Sequence, residues 1–151
     1  MKVLVTGGMG FIGSHLMERL RLNGHQIMVF DKKQGKDINN FGQLKRVIGK
    51  NKFDVIIHLA AEAGVRRSFE QPQLYFKTNV GGTLNILECL RLSSKTRLVL
   101  ASSSSVYGND ATVPFNETET NLVPISPYAI SKRSAELAAQ IYAQHYGMKI
   151  T

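Results

Sequence analysis

Short apolar runs alternate with longer amphipathic stretches along this chain of 151 residues. The apolar runs are rich in β-branched residues and predict strands over residues 2–6, 26–31, 53–61 and 96–105. Helical periodicity predicts helices over residues 11–22, 41–52, 73–94 and 126–147. Residues 148–151 have the pattern of a strand that is just beginning.

This alternation of strand and helix predicts an α/β fold with a doubly wound parallel sheet of the Rossmann type. The run 53–61 is almost wholly apolar, which is typical of a strand buried on both faces of such a sheet. The chain stops where another strand is expected, so we expect a fold truncated before its last strands. Residues 106–125 form an irregular stretch longer than an ordinary connection, which indicates a functional loop.

Composition narrows the class of protein. The chain is 43% hydrophobic and 20% charged, and its one cysteine, Cys89, rules out an internal disulfide framework and suits the cytoplasm. It has no apolar run long enough to span a membrane and no basic-then-apolar leader at its start. The net charge is +8, but the basic residues are scattered rather than clustered, so we expect no nucleic-acid partner.

Three glycines follow the first strand at a spacing of three, in "VTGGMGFIG". Gly7 can make the tight turn, Gly10 lets the backbone approach a pyrophosphate, and Gly13 lets the helix pack closely on the strand. The helix that begins here offers free amides and a partial positive charge to phosphates. The motif therefore predicts a dinucleotide site at the first turn.

An acidic residue stands about 20 positions after the glycines, at the end of the second strand. Asp31 can accept hydrogen bonds from the ribose hydroxyls of adenosine, which favours NAD over NADP because a 2′-phosphate would meet a negative charge. Lys32 and Lys33 follow it directly and weaken this preference.

The chain resembles the extended short-chain dehydrogenase/reductase family in four motifs: "TGGMGFIG", "HLAA", "SSSSVYG" and "YAISK". Within that family it is similar to the NAD-dependent sugar-nucleotide epimerases and dehydratases. The phrases "HLAAEAGVRRSFEQP" and "TNVGGTLNILE" are most similar to UDP-glucuronate and UDP-glucose 4-epimerases. The resemblance implies NAD as cofactor, a UDP-sugar as substrate, and self-association through two long helices as a homodimer.

The resemblance also implies which residues bind the cofactor: Gly7, Gly10, Phe11, Ile12 and Gly13 at the pyrophosphate, Asp31 at the ribose, Asp37 and Ile38 beside the adenine, Leu59, Ala60 and Ala61 beside the cofactor, Arg66 near phosphates, and Asn79. Two departures stand out. Only five residues separate Asp31 from Asp37, where many relatives have a helix and a third strand, so that edge of the sheet is expected to be trimmed. The second departure is that we expect the family's remaining strands and its C-terminal sugar-nucleotide domain to be missing.

Ser103, Tyr128 and Lys132 match the catalytic residues of the family, and the last two are also expected to contact the cofactor. Tyr128 and Lys132 stand four apart on a predicted helix and therefore share a face. A phenol is a poor base at neutral pH, but a nearby ammonium and a charged nicotinamide favour the phenolate. Tyr128 could then take a proton from a sugar hydroxyl that Ser103 holds in line, while hydride passes to NAD.

Functions other than that of a 4-epimerase differ in the residues that they require. A 4,6-dehydratase would need an acidic pair after the catalytic hydroxyl, where this chain has Ser104 and Ser105. A UDP-glucuronate decarboxylase stays open, as do an NAD-binding module or subunit that turns nothing over by itself and an assembly with another chain. We expect a packed core role for His58 and a core or interface role for Cys89. His15, His25 and His145 are too scattered for a metal site.

Overall fold

The computed structural model of the chain describes residues 1–91, 95–109, 111–120 and 122–151. Its centre is a parallel sheet with the strand order β2-β1-β3-β4. The strands are β1 (Lys2–Thr6), β2 (Gln26–Phe30), β3 (Val55–His58) and β4 (Arg97–Leu100). All four predicted strands are confirmed. Those that begin near residues 53 and 96 end at His58 and Leu100, so the small and polar residues that follow belong to loops.

Helices connect the strands: α1 (Phe11–Leu22), α2 (Phe41–Lys50), α3 (Val65–Glu70), α4 (Pro72–Tyr75), α5 (Gly82–Arg91) and α6 (Pro127–Tyr146). A π-helical segment, Phe76–Gly81, joins α4 to α5, and these three pieces together fill the helix predicted over 73–94. The last part of that prediction, residues 92–94, lies outside the described residues. Short 3₁₀ turns occupy Lys32–Gln34 and Ser104–Tyr107. The sequence patterns did not predict α3.

The ends of α6 show why its limits were readable from the sequence. The Ser126 hydroxyl accepts a hydrogen bond from the Ala129 amide (3.1 Å), and Pro127 occupies the first helical position. At the other end Gly147 has a φ of 64°, a left-handed conformation that glycine adopts without strain. The helix therefore starts and stops at residues whose chemistry marks these positions.

The main core lies on one face of the sheet. Leu4, Ile56 and Leu98 are neighbours across three strands, are fully buried, and form the floor of this core. Side chains from α2, α5 and α6 pack on that floor; they include Leu44, Ile48, Ile86, Leu87, Leu90 and Ala139.

The opposite face is covered less completely. β3 was predicted to be buried on both faces, yet only Ile56 and His58 are fully buried, whereas Val55 and Ile57 are half-buried. The helix on that side, α1, packs on β1 and β2, which leaves its cover over β3 incomplete. The prediction of burial on both faces is therefore wrong for this strand.

Both edges of the sheet bear on the predictions. The strand expected at the end of the chain is confirmed, because the Leu98 amide donates to the Lys149 carbonyl (2.9 Å) and the Thr151 amide donates to the Leu98 carbonyl (3.0 Å). At the other edge, β2 is the outermost strand among the described residues. The link from Asp31 to Asp37 contains only a 3₁₀ turn, which confirms the prediction that this edge of the sheet is trimmed.

Within the described part of the chain, no helix has the length and apolar character needed to cross a bilayer. The long irregular loop is confirmed over its described residues 111–120, which contain no helix or strand. Its first residues, Val106 and Tyr107, belong instead to the 3₁₀ turn, and positions 110 and 121 lie outside the described residues.

Gly13 lies on α1 where a Cβ would collide with the Gly7 carbonyl oxygen in the preceding turn. We expect Gly13→Ala to lower the free energy of unfolding by about 2 kcal/mol, the scale of a local overpacking. The matched control is Gly49→Ala on α2, where a Cβ would have no neighbour within 4 Å. There alanine should raise stability by up to about 1 kcal/mol. Urea denaturation measures both, and equal effects would contradict the close packing of α1.

Candidate cofactor and catalytic site

β1 passes into α1 through a turn that has no room for a side chain at its first residue. Gly7 has a φ of 69°, and a Cβ there would lie 2.7 Å from the backbone nitrogen of Ala60. The Gly7 amide donates to the Phe30 carbonyl (3.0 Å), which ties the turn to the end of β2. Gly7 therefore makes the tight turn that its position in the motif predicts.

The N-terminus of α1 is open. The helix begins after Gly10, and no side chain in the described part of the chain caps this end. A Cβ on Gly10 would meet only the Gly7 carbonyl oxygen, at 3.2 Å, so the backbone there faces open space. Uncapped amides and the partial positive charge of the helix end together favour a bound anion such as a phosphate.

A cleft of about 270 Å³ opens at the carboxyl ends of β1, β2 and β3, which is where parallel sheets of this kind bind ligands. Seven of the predicted cofactor positions line it: Gly7, Gly10, Asp31, Ile38, Leu59, Ala60 and Ala61. The other lining residues are Phe30, Lys32, Lys33, Lys36, Glu62 and Thr78. The structure therefore brings together, in one cleft, residues from three separate sequence motifs.

Asp31 is buried at the end of β2, with both carboxylate oxygens engaged. One oxygen accepts the Met9 amide and the other accepts the Lys33 amide, each at 2.9 Å. The Met9 bond is a second tie, besides the Gly7 bond, between the glycine turn and the end of β2. Because each carboxylate oxygen can accept two hydrogen bonds, the group keeps capacity for a ligand hydroxyl.

Eight predicted cofactor positions do not line this cleft. Gly13, Asn79, Tyr128 and Lys132 belong to the supporting elements around it, and the other four are Phe11, Ile12, Asp37 and Arg66. Phe11 and Ile12 project from the first turn of α1 with exposed fractions of 82% and 67%. The Asp37 carboxylate accepts the Asn39 amide (2.9 Å) and lies 3.9 Å from the Lys32 ammonium. Arg66 is exposed on α3. Their roles in binding the cofactor stay predictions.

A chain of buried hydrogen bonds begins behind the glycine turn. The Ala60 amide donates to the Thr6 hydroxyl (3.2 Å), and that hydroxyl lies 2.6 Å from Nδ1 of His58. On its other side, Nε2 of His58 lies 3.1 Å from the Thr83 hydroxyl, which donates to the Asn79 carbonyl. Because the Thr83 hydroxyl gives its proton to Asn79, it accepts from Nε2 of His58, and in a neutral ring Nδ1 then accepts the Thr6 hydroxyl.

The chain continues through Asn79 to α6. The Asn79 side chain accepts the Glu62 amide (2.8 Å) and donates to the Glu62 carbonyl (3.0 Å) and to the Ser131 hydroxyl (2.9 Å). Ser131 in turn donates to the Tyr128 carbonyl (2.7 Å). Asn79 therefore lies behind the cleft wall and connects the loop after β3 to the helix that carries Tyr128.

His58 behaves as a packed core histidine, in line with the expectation. Its pKa is lowered from the usual 6.5 to about 3. Burial is the larger cause, and the positive charge of Lys132 contributes to the same decrease. The imidazole of the folded chain is therefore neutral at neutral and mildly acidic pH.

Lys132 is buried on α6, and its ammonium donates to the Ala101 carbonyl just beyond β4. Burial lowers the pKa of Lys132, and the Glu136 carboxylate partly opposes this. Ala101 is two residues before Ser103, so the lysine is anchored to the same strand end that carries the predicted catalytic serine.

Tyr128 is half-buried on α6, with its ring edge-on to Tyr75 at 6.1 Å between centroids. The Ser103 hydroxyl accepts the Ser105 amide (3.2 Å) and caps the 3₁₀ turn. Ser103 lines a second cleft, of about 510 Å³, with Tyr107, Glu117 and other residues. Tyr128 and Lys132 are not among the residues that line the two clefts.

Sequence reasoning missed the polar residues that support the site: Thr6, Glu62, Tyr75, Thr78, Thr83 and Ser131. One pattern could have indicated part of this set. Thr6 and His58 are the last residues of two apolar strands, and they are partners in the parallel register of β1 and β3. Polar residues at the ends of adjacent strands are candidates for a hydrogen bond, because such ends meet at one edge of the sheet.

Comparison with known proteins extends these observations. The model of the NAD dependent epimerase/dehydratase family matches residues 3–151. The protein CapI of Staphylococcus aureus is 37% identical over 174 residues, a match that covers 100% of this chain and 52% of that protein. A UDP-glucuronate 4-epimerase of Thermodesulfobacterium geofontis is 37% identical over 172 residues, covering 98% of this chain and 53% of that protein.

The fold has solved counterparts. The structure of UDP-glucose 4-epimerase from Brucella ovis in complex with NAD superposes with a TM-score of 0.92 at 34% identity, covering 99% of this chain and 50% of that one. The chain thus spans about half the length of the curated relatives it matches. The alignments extend over more positions than this chain has residues, so the relatives carry residues that have no counterpart here.

The low pKa of His58 predicts a specific dependence of stability on pH. Below pH 6.5 the unfolded chain binds a proton at His58 that the folded chain refuses until about pH 3, so stability falls as the pH is lowered through this window. Between pH 7 and pH 5 this group should cost about 2 kcal/mol of unfolding free energy.

Urea denaturation at pH 7 and pH 5 tests this by comparing the wild type with His58→Gln. The variant should lose about 2 kcal/mol less than the wild type over this interval. His15→Gln, on the exposed surface of α1, is the matched control and should behave as the wild type does. Identical pH dependence of the wild type and His58→Gln would contradict a buried neutral imidazole.

Proposed function

Because the chain belongs to the NAD dependent epimerase/dehydratase family, we propose that it is the dinucleotide-binding portion of a sugar-nucleotide 4-epimerase that acts on UDP-glucuronate or UDP-glucose. One observation carries this proposal. The open glycine turn and the Lys132-anchored end of β4 lie at the same edge of one parallel sheet. A dinucleotide held at the first could therefore present its reactive ring to groups at the second.

The cleft suits NAD on physical grounds. A Cβ at Gly7 would collide with the Ala60 backbone, so only glycine lets the turn lie against the cleft wall, and the open amides at the start of α1 suit a pyrophosphate. Asp31 retains lone pairs for the ribose hydroxyls, and Ile38, Leu59 and Ala60 supply apolar surface. These residues, together with Gly10 and Ala61, would hold the cofactor.

NAD, when bound, would accept a hydride from C4 of the sugar and return it to the opposite face, so that it is not consumed. The chain's part in this chemistry is to hold and move a proton. We assign that step to the Tyr128 hydroxyl, which would take the proton of the sugar 4-hydroxyl as the carbon is oxidised and return it afterwards. Ser103 would orient the same oxygen by a hydrogen bond.

Lys132 would supply a fixed positive charge at the end of β4. Its ammonium is buried, so its charge acts through a medium less polarisable than water and its effect on nearby groups is larger than at the surface. One of its three N–H groups is used on the Ala101 carbonyl, which fixes the position of the nitrogen and leaves the others for ligands.

The residues after Ser103 support an epimerase over a dehydratase. Ser104 and Ser105 begin a short 3₁₀ turn, at the two positions where elimination of water would require an acid and a base. A hydroxyl of ordinary acidity cannot supply that work at neutral pH. A UDP-glucuronate decarboxylase would be distinguished from a 4-epimerase by its pentose product.

Tyr128→Phe tests the proposed chemistry. Incubation of the complete enzyme to which this portion belongs with NAD and either UDP-glucuronate or UDP-glucose should yield the 4-epimer, measured by chromatography, whereas this portion alone should yield little or none. We expect the variant to lose at least 100-fold in turnover, because the proton acceptor is gone. The thermal stabilisation by NAD should persist in the variant, because the cleft is unchanged.

The matched control is Tyr146→Phe, near the exposed end of α6, which should keep full turnover. If the complete wild-type enzyme is stabilised by NAD but forms no product from either sugar, this portion is a binding module and the proposal is wrong. A pentose product would identify a decarboxylase instead.

We further propose that the protein pairs with a second copy of itself. On α6, Ile130, Leu137 and Ile141 are 41%, 44% and 62% exposed, and their spacing puts them on one helical face. α5 packs beside α6 and adds the exposed Leu84. A two-fold pairing of these helices would remove the combined apolar strip from water.

Leu137→Glu tests this pairing. The wild type should elute as a dimer with light scattering detection, and the variant should be a monomer with unchanged helix content, because a charge in the strip would be buried without a partner. Gln140→Glu, exposed on the same helix, should remain dimeric. A wild-type monomer at all concentrations would refute the pairing.

A further inference from the structure

Three lysines line the cleft around Asp31: Lys32, Lys33 and Lys36. Building on the proposed function, we propose that this end of the cleft also accepts a dinucleotide with a 2′-phosphate on its adenosine ribose, that is NADP, and that Lys33 and Lys36 are the residues that bind that phosphate. The cofactor specificity that Asp31 alone would impose is thereby relaxed.

The ammonium groups of Lys33 and Lys36 are held on both sides of the acid. Lys33 Nζ donates to the Met9 carbonyl (3.1 Å), and the amide of the same Met9 donates to the Asp31 carboxylate. Lys36 Nζ donates to the Val29 carbonyl (3.0 Å), two residues before Asp31 on the same strand. Both charges are therefore anchored by main-chain atoms next to the carboxylate expected at the ribose.

These two ammonium groups have capacity for a ligand. In the described residues no carboxylate lies within 4 Å of either one, unlike the Lys32 ammonium, which lies 3.7 Å from Glu62 and 3.9 Å from Asp37. An ammonium has three N–H donors, so each retains at least one for a phosphate oxygen. Lysine binds phosphate as a point charge and needs no planar geometry to do so.

Asp31 is a weaker barrier to a phosphate than a free carboxylate would be. Both of its oxygens accept main-chain amides, whose partial positive charges offset its own. Lys33 and Lys36 carry two positive charges against the single negative charge of Asp31, whereas Lys32 lies beside Glu62 and Asp37. A phosphate monoester, with nearly two negative charges at neutral pH, would be attracted there.

The fold also leaves space for the additional group. β2 is the outermost strand in the described part of the sheet, and the connection after it is a single 3₁₀ turn that ends at Gly35. Lys32 at the rim of the cleft is half-exposed. A phosphate that points outward from the ribose would therefore meet solvent and ammonium groups rather than a covering helix.

Calorimetric titration of the protein with NAD and NADP, at 50 mM and 500 mM NaCl, tests the proposal. We expect the dissociation constant for NADP to lie within tenfold of that for NAD. The added salt should weaken NADP binding several-fold more than NAD binding, because the additional contact is ionic. Adenosine 2′,5′-bisphosphate should likewise bind at least as tightly as AMP, which isolates the contribution of the 2′-phosphate.

The lysine variants assign the contacts. Lys33→Met and Lys36→Met should each weaken NADP binding by about tenfold and change NAD binding by less than threefold. Lys50→Met on α2, outside the cleft, is the matched control and should alter neither. Thermal melts without nucleotide check that each variant is folded.

The outcomes separate the two proposals. NAD binding accompanied by NADP binding more than 100-fold weaker would overturn this inference and leave the proposed function intact. Equal losses for NAD and NADP in the lysine variants would also overturn it, because the lysines would then not be reading the phosphate. Binding of neither dinucleotide by folded protein would overturn both.

Discussion

The hydrogen bond between the Thr6 hydroxyl and the His58 ring determines how the ends of β1 and β3 lie against each other. The glycine turn follows Thr6, and the cleft wall of Leu59, Ala60 and Ala61 follows His58. The same imidazole reaches the Thr83 hydroxyl, so a helix is joined to both strands through one ring. Buried polar groups are costly unless every one is satisfied, so this arrangement specifies one packing of the three elements and penalises any other.

Much of the fold was predictable because its information is local. The strand at residues 2–6 and the limits of α6 follow from β-branched runs, a serine cap and a terminal glycine, all within a few positions of the structure they specify. The incomplete cover over one face of β3 was not predictable in this way. Burial of a strand's second face depends on which helix covers it. Here α1 packs on β1 and β2, and the composition of residues 53–61 does not determine where that helix packs.

The candidate site was predictable to the extent that its residues belong to contiguous motifs. Gly7, Asp31 and Ala60 meet in one cleft, as their positions at strand ends imply. The supporting contacts join residues far apart in sequence, such as Thr6 with His58 and Asn79 with Ser131, each pair 52 positions apart. A side chain's partner across such a distance is set by strand register and helix rotation, which no single segment encodes.

The π-helical segment between α4 and α5 limits the changes in chain length that this part of the protein can accept. There the Gly82 amide reaches both the Lys77 and the Thr78 carbonyls, so this turn accommodates one residue more than an α-helix would. That wider turn sets the angle at which Asn79 faces Glu62 and at which Thr83 faces His58. Because this turn already accommodates an additional residue, inserting another would rotate Asn79 by roughly 100° relative to α5 and move the amide away from its partners. Insertions should therefore be tolerated in the surface loop around residues 111–120 and rejected within this helix.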